Sequence, residues 1–340
     1  MQRFWQNWTF GLVSFFLAIV ITLTFVNQSR SNPVPMLLGL YTPDFVGQAY
    51  VLREQVQAIE RWTGQQHSLV GLFLDLEAAN PAYDIPAVLN RLHDNGYSAF
   101  INFTSRRTAT QIAAGNIDKA IEKTAQAYGN WAKNLETPLI FIAPLPEMNG
   151  AWEVYGQTPD DFKQAYQRIQ TIFAKEVPRD SIRWVFAPNG WSEPNHEFEQ
   201  YYPGDQSVDV VAFSAYNWGH CKNASWKEWQ APDIVFGPYI RRMQQMAPEK
   251  PLFIAQTATT SIQPLGSNPT DKNTWLIEAY RYLATSGVRA VMYFNILKEC
   301  DWEIFSHHGP TVNGYQTATN SPLVGYQSPE QLALNIPATP

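Results

Sequence analysis

Leu139 to Gly156 reads LIFIAPLPEMNGAWEVYG, and the fold is decided by how it is read. The apolar run Leu139-Ile140-Phe141-Ile142-Ala143 is short and unbroken, which predicts a strand buried on both faces. Pro144 and Pro146 end it, because proline lacks the N–H that a central strand needs. Glu147 follows at once, with Asn149, Trp152 and Tyr155 close behind. A carboxyl at the mouth of a buried strand, beside an amide and aromatic rings, suits sugar chemistry. The acid can protonate a glycosidic oxygen, and flat rings stack on pyranose faces. A surface loop with one solvated Glu is the plain alternative.

The pattern around this stretch repeats. Met36 to Tyr41 predicts a strand and Val51 to Trp62 a helix. Ser68 to Leu76 and Ser98 to Thr104 are further strands, with a helix from Ile85 to His93 between them. Ile117, Ala120, Ile121, Thr124, Tyr128, Trp131 and Ala132 fall on one helical face. After the opening strand, Thr158-Pro159-Asp160-Asp161 reads as a helix start, with proline at the first position and acids on the positive helix end. Phe162, Ala165, Tyr166, Ile169, Ile172 and Phe173 form its buried stripe. Strands are then expected at Ile182 to Ala187, Val208 to Tyr216, Pro251 to Thr257 and Val288 to Asn295. Helices fall at Ile234 to Met246 and around Leu276 to Leu283, and the link after the fifth strand is poorly periodic. Ser328-Pro329-Glu330-Gln331 fits a capping box. Eight apolar strands alternating with helical patterns predict an α/β chain with a (β/α)8 TIM barrel, in one domain over residues 36–336.

Composition bounds the function. The chain has 340 residues, 14% aromatic and 16% charged, with a net charge of -6. Its acidic balance and lack of a basic cluster argue against nucleic acid. The six His show no HExxH-type pair, and the two Cys, Cys221 and Cys300, lack metal spacing, so no metal and no organic cofactor is expected. Both cysteines follow strands of the same barrel face, leaving a disulfide and two separate thiols as alternatives.

Residues 1–30 read as a targeting element. Phe4 to Ser29 carries no charge, and Thr9 to Val26 is mostly Leu, Ile, Val and Phe between Arg3 and Arg30. No A-x-A site follows it. An uncleaved signal anchor is preferred over a cleaved signal peptide, which makes the chain membrane-anchored or secreted, with its barrel outside the cytoplasm.

In a (β/α)8 barrel the chemistry sits where the strands stop. Those positions hold Tyr41, Asp75, Glu77, Glu147, Asn149, Asn189, Trp191, Tyr216, Asn217, Trp218, Gln256 and Asn295, with Glu299, Asp301 and Trp302 just beyond. Amides, tyrosines and tryptophans around one carboxylate make a carbohydrate-site composition. A phosphate site would show glycine-rich turns and a Lys or Arg.

On these segments the chain resembles glycoside hydrolase family 26, whose members are mostly endo-β-mannanases with some β-glucanases and xylanases. PLPEMNGAW resembles the segment around the family's general acid, implying Glu147 as proton donor. WVFAPNGW and YYPGDQSVDVVAFSAYNWG resemble the fifth and sixth strands, implying Trp191, Tyr216 and Trp218 as cleft lining, with Tyr216 placed to hydrogen-bond the nucleophile. KPLFIAQTATT and MYFNILKECDW resemble the seventh and eighth. Tyr41, Asn149, Trp152 and Asn295 complete the expected substrate-binding set, and the implied partner is a β-linked polysaccharide or oligosaccharide of mannan or β-glucan type.

Three departures bear on activity. Pro146 stands where the family usually has His, and Ala143 where it has an upstream Arg. Gln256 stands where the nucleophilic Glu is expected. Retaining hydrolysis uses two carboxylates about 5–5.5 Å apart, and an amide is a poor nucleophile. Three readings compete: a hydrolase with a relocated second carboxylate (Asp75, Glu77, Glu299 or Asp301), a catalytically degenerate membrane-tethered glycan-binding protein, and a scaffold with a residual cleft.

Overall fold

The computed structural model describes residues 34–43, 52–78, 80–156, 158–221 and 228–339. The expected anchor, Thr9 to Val26, lies outside the described residues. Eight parallel strands run in sequence order around a closed barrel: β1 Met36–Tyr41, β2 Leu69–Asp75, β3 Ser98–Thr104, β4 Ile140–Pro144, β5 Ile182–Phe186, β6 Val210–Ser214, β7 Leu252–Thr257 and β8 Val288–Phe294. The ring closes where Leu37 to Tyr41 pair in parallel register with Ala290 to Phe294. The predicted (β/α)8 TIM barrel is the observed fold.

Helices α1 Leu52–Thr63, α2 Pro81–Asp94, α3 Asp118–Ala132, α4 Pro159–Phe173, α5 Pro232–Met246 and α6 Pro269–Thr285 follow six of the strands. The stripe expected on α4, from Phe162 to Phe173, is the face that is buried. Between β5 and β6 there is no α-helix, only a single 3-10 turn at Phe198–Tyr201, as the missing periodicity there implied. β4 reaches one residue further than its sequence suggests. Pro144 still pairs with Phe103 of β3, while pairing with β5 has already stopped at Ile142, so the missing proline N–H breaks no bond on that side.

Small residues let the barrel interior close. The Tyr41 ring occupies the space a Cβ on Gly71 would need, and the Met292 side chain does the same at Gly39. Such interdigitation fills a barrel as a packed core, without leaving a pore. After β8 the chain forms α7 Gly314–Thr319, then the short strand Val324–Gly325, which pairs with the start of β1, and then α8 Pro329–Asn335 with the expected capping box at Ser328. The N-terminal end of the barrel is tied to this tail. Arg183 of β5 donates to the carbonyls of Ala333, at 3.0 Å, and Ile336. Among the described residues no helix is long and apolar enough to cross a membrane.

Candidate active site

The segment after β4 is the most contorted on the C-terminal face. Leu145 and Glu147 both adopt positive φ, 53° and 57°. Left-handed backbone at non-glycine residues costs about 1–3 kcal/mol each and persists only where neighbours hold it. Leu145 N–H donates to the Phe103 carbonyl and Glu147 N–H to the Ala187 carbonyl, each at 2.8 Å, so the segment is wedged between the ends of β3 and β5. Tyr155, fully buried, braces it by donating to the Pro146 carbonyl at 2.9 Å.

Asn149 completes the brace and is no cleft residue. It is 1% exposed, and its amide donates to the Asn189 and Trp191 carbonyls and the Ser192 hydroxyl while accepting from Asn189 N–H. Every polar atom of its side chain is therefore turned into the β5 loop. That differs from the substrate contact expected of it, because a buried amide in a tight loop junction must satisfy backbone groups first.

The Glu147 carboxylate accepts from Trp152 Nε1 at 3.1 Å and from Asn189 Nδ2 at 3.3 Å. Burial pushes its pKa above the usual carboxylate range, while the Ser214 hydroxyl, the Trp152 indole, the Asn189 amide and the Lys298 charge pull partway back. A raised pKa is what a proton donor near neutral pH needs. Trp152 and Trp191 stack with centroids 6.1 Å apart at 19° and are 51% and 46% exposed, which leaves an open aromatic face beside the acid. Trp152 lies against Gly150, where any side chain would collide with the indole.

Ser214, at the end of β6, pairs in register with Gln256 of β7. Tyr216 donates to Gln256 Oε1 at 3.0 Å. Its ring packs against Trp302, Trp218 and Phe294, and Trp218 meets Trp302 edge-on at 5.1 Å. Glu147 and Gln256 thus both adjoin Ser214, with the half-exposed Trp152–Trp191 pair beside Glu147 and Tyr216, packed on Trp218 and the fully buried Trp302, beside Gln256.

Two other expected lining residues are buried. Tyr41 is 1% exposed inside the barrel, donating to the Ala255 carbonyl and accepting from Asn102 Nδ2 at 2.7 Å. Asn295 is fully buried and spends its amide on the backbone of Ile304 and Phe305, shaping the loop after β8. Sequence position placed both at strand ends, but whether a side chain there points to the cleft or the core is a matter of strand phase and loop path.

The carboxylates considered as a second catalytic group are engaged elsewhere. Glu77 is held by Arg107 at 3.0 Å, and Asp75 accepts from Glu77 N–H at 2.8 Å. Asp301 accepts from the Thr260 and Ser261 hydroxyls and from Ser261 N–H, locking the loop after β7. Glu299 is paired with Lys298 at 2.9 Å and accepts from Trp302 Nε1. Against the upward push of burial, these contacts hold its carboxyl below the usual range. Sequence reading did not single out Glu153. Burial first, and then the nearby Glu147 charge, raise its pKa to about 7. Only its spacing from Glu147 within one irregular loop could have suggested it.

Cys221, after β6, and Cys300, after β8, form a disulfide with Cα atoms 5.8 Å apart. It ties the loop carrying Trp218 to the loop carrying Glu299 and Trp302. Among the described residues no group of three His, Cys, Asp or Glu side chains is arranged to hold a metal ion.

The family model of glycosyl hydrolase family 26 matches residues 84–240. The chain is similar to Endoglucanase H of Acetivibrio thermocellus, with 33% identity over 311 residues, 87% of this chain and 32% of that protein. It is also 25% identical over 153 residues to a mannan endo-1,4-beta-mannosidase of Bacillus subtilis, covering 42% of this chain and 39% of that one. The chain therefore spans about a third of the first relative's length. Two solved structures share the fold. A beta-mannanase from a symbiotic protist of the termite Reticulitermes speratus, complexed with gluco-manno-oligosaccharide, matches at TM-score 0.60 and 16% identity, over 90% of this chain and 91% of its own. The catalytic domain of the Bacillus sp. JAMB-750 GH26 endo-beta-1,4-mannanase matches at TM-score 0.66 and 14% identity, over 86% and 87%.

Proposed function

Since this chain belongs to glycosyl hydrolase family 26, we propose that its barrel takes a β-linked polysaccharide of mannan or β-glucan type into the cleft, with Glu147 as proton donor. The observation that carries this reading is the Glu147 carboxyl itself. It is pushed toward its protonated form by burial and is hydrogen-bonded by Trp152, whose ring stacks with Trp191 in an open aromatic face. The relatives' printed names, endoglucanase and mannan endo-1,4-beta-mannosidase, support the substrate class.

A second reading is favoured by Gln256. The amide at the end of β7 carries no charge to attack an anomeric carbon; Glu77, Glu299 and Asp301 are bound to Arg107, Lys298 and the β7 loop, and Asp75 accepts from the Glu77 N–H. On this reading the cleft binds glycan without the two-carboxylate retaining route. The test is a glycan-array screen of the full chain, run beside hydrolysis assays on mannan and mixed-linkage glucan, with Glu147→Gln as control. Binding with turnover abolished in Glu147→Gln supports the enzyme. Binding without turnover supports the degenerate form, and absence of any glycan binding rejects both.

The division into an N-terminal signal anchor at 1–30 and a barrel at 36–336 also belongs to this proposal, as does a barrel held outside the cytoplasm. The Cys221–Cys300 disulfide supports it, since disulfides persist in oxidising compartments.

A further inference from the structure

Resting on the reading of Glu147 as proton donor, we propose that Glu153 is a positioning residue for that acid, acting through Tyr155. Protonated, Glu153 leaves the Tyr155 hydroxyl on the Pro146 carbonyl; ionised, it draws that hydroxyl away. The backbone that carries the acid is thereby held at neutral to acidic pH and loosened at alkaline pH.

The Pro146–Glu147 peptide is held at both of its polar atoms. Its N–H donates to the Ala187 carbonyl at 2.8 Å, and its carbonyl accepts from the Tyr155 hydroxyl at 2.9 Å. Glu147 needs both, since its φ of 57° is left-handed and persists only while the surroundings hold it. Tyr155 is fully buried, and a phenol has one proton, so it serves one acceptor at a time. The half-buried Glu153 carboxyl is a second hydrogen-bond partner of the same hydroxyl. A neutral carboxyl there donates to the tyrosine oxygen and leaves the tyrosine proton on Pro146. An ionised one only accepts, and a charge-assisted bond is stronger than a neutral one, so it takes the proton from the carbonyl. Pro146 is buried, and its carbonyl then loses its donor, which is costly away from water.

The far end of the same loop is the contrast. Tyr201 donates to the Gly156 carbonyl, and His196 Nδ1 lies 2.6 Å from that hydroxyl. With the tyrosine proton on Gly156, His196 Nδ1 carries the hydrogen between them. A neutral ring and an imidazolium can both supply it, so this end keeps its bond in either state. Glu153 supplies a hydrogen only while protonated. Burial raises its pKa, the Tyr155 hydrogen bond lowers it, the Glu147 charge raises it and the Lys298 charge, from the loop after β8, lowers it, leaving it at about 7. Lys298 is itself paired with Glu299 at 2.9 Å. Because the folded value is raised, the proton is held below about pH 7 and is lost as pH rises through it.

The test reads hydrogen exchange at the amides of Leu145 and of Glu147 to Gly150 in the full-length protein, corrected for the intrinsic effect of pH on exchange. Wild-type protection should fall about tenfold or more between about pH 6 and about pH 8.5, with its midpoint near 7. Glu153→Gln offers an amide N–H to the Tyr155 oxygen at every pH, so its protection should stay at the acidic level throughout. Tyr155→Phe lacks the donor and should be weakly protected at both ends of the range, with no midpoint. Calorimetric binding of mannan or mixed-linkage glucan oligosaccharides should weaken over that range about threefold more in wild type than in Glu153→Gln. A wild-type profile without the midpoint, or a midpoint that persists in Glu153→Gln, overturns the inference, as does wild-type protection in Tyr155→Phe. If the exchange profiles come out as expected and neither glycan binds at any pH, the Glu153–Tyr155 assignment stands and the glycan reading falls. If glycan binds while exchange ignores pH, the inference falls and the glycan reading stands.

Discussion

The Tyr216 hydroxyl donates to Gln256 Oε1 at 3.0 Å, joining the ends of β6 and β7 beside the acid. A tyrosine O–H is equally a donor to a carboxylate, so this contact would serve a Glu at the same place. Gln256→Glu should therefore fold unchanged, ionise beside Tyr216, and raise the Glu147 pKa further by like-charge repulsion. Turnover of aryl β-mannosides or β-glucosides with a free 2-hydroxyl is expected to rise by roughly 10³-fold, through a covalent route closed to the wild type. Wild-type turnover of those substrates at the variant's rate would locate the chemistry on another carboxylate, Glu299 first.

The stacked Trp152–Trp191 pair is half exposed. Removing one ring should cost about 1–3 kcal/mol of oligosaccharide binding, the scale of one large apolar contact. Calorimetry on Trp191→Ala reads this directly, and affinity equal to wild type would place the platform elsewhere. Trp152→Phe isolates the second role of its residue. The ring stays, but the indole N–H that steadies the ionised Glu147 is gone. The Glu147 carboxyl should then titrate at higher pH than in the wild type, as followed by carbonyl-region infrared spectroscopy.

Glu153 makes stability depend on pH. Its folded pKa is raised from 4.5 to about 7, so the folded state holds a proton that the unfolded chain has released. Stability from this group is fully present below pH 4.5 and is lost as pH rises to about 7. Glu153→Gln removes the cost of ionising it. The variant should melt on the order of 2 °C or more above wild type at pH 8, with the gap closing toward pH 4. A gap that widens toward acid pH would reverse the sign and reject the assignment.

Reduction of Cys221–Cys300 opens a loop spanning a sequence separation of 79. Chain-entropy arguments put the loss at up to about 4.5 kcal/mol, a model-dependent ceiling. Cys221→Ser with Cys300→Ser should lower the denaturant midpoint. It should also weaken glycan binding more than it disturbs the far side of the barrel, because Trp218 rides on one linked loop and the buried Trp302 that packs against it on the other. An unchanged midpoint in reducing and oxidising buffer would mean the bond contributes nothing.

The N-terminal proposal has its own assay. Protease added to intact spheroplasts should digest the barrel if Thr9 to Val26 anchors it on the outer side. Full protection at unchanged size would place it inside.

The sequence by itself determined the barrel. Buried parallel strands must be continuous apolar runs and their covering helices must be striped, so Leu139 to Ala143 and the Phe162-to-Phe173 face declare themselves locally. It also marked Glu147, since a carboxyl directly after a buried strand has few structural excuses. The roles of its neighbours were decided only in three dimensions. Asn149, Tyr41 and Asn295 stand at strand ends like Trp191 and Tyr216, yet they face loops and core. The direction of a side chain after a strand depends on φ values such as the 57° at Glu147 and on which backbone groups need a partner. The state of each carboxylate was equally hidden. Lys298 beside Glu299, Arg107 beside Glu77 and Ser261 beside Asp301 come together only when separate strands converge, and charge pairing acts through space, whatever the distance along the chain.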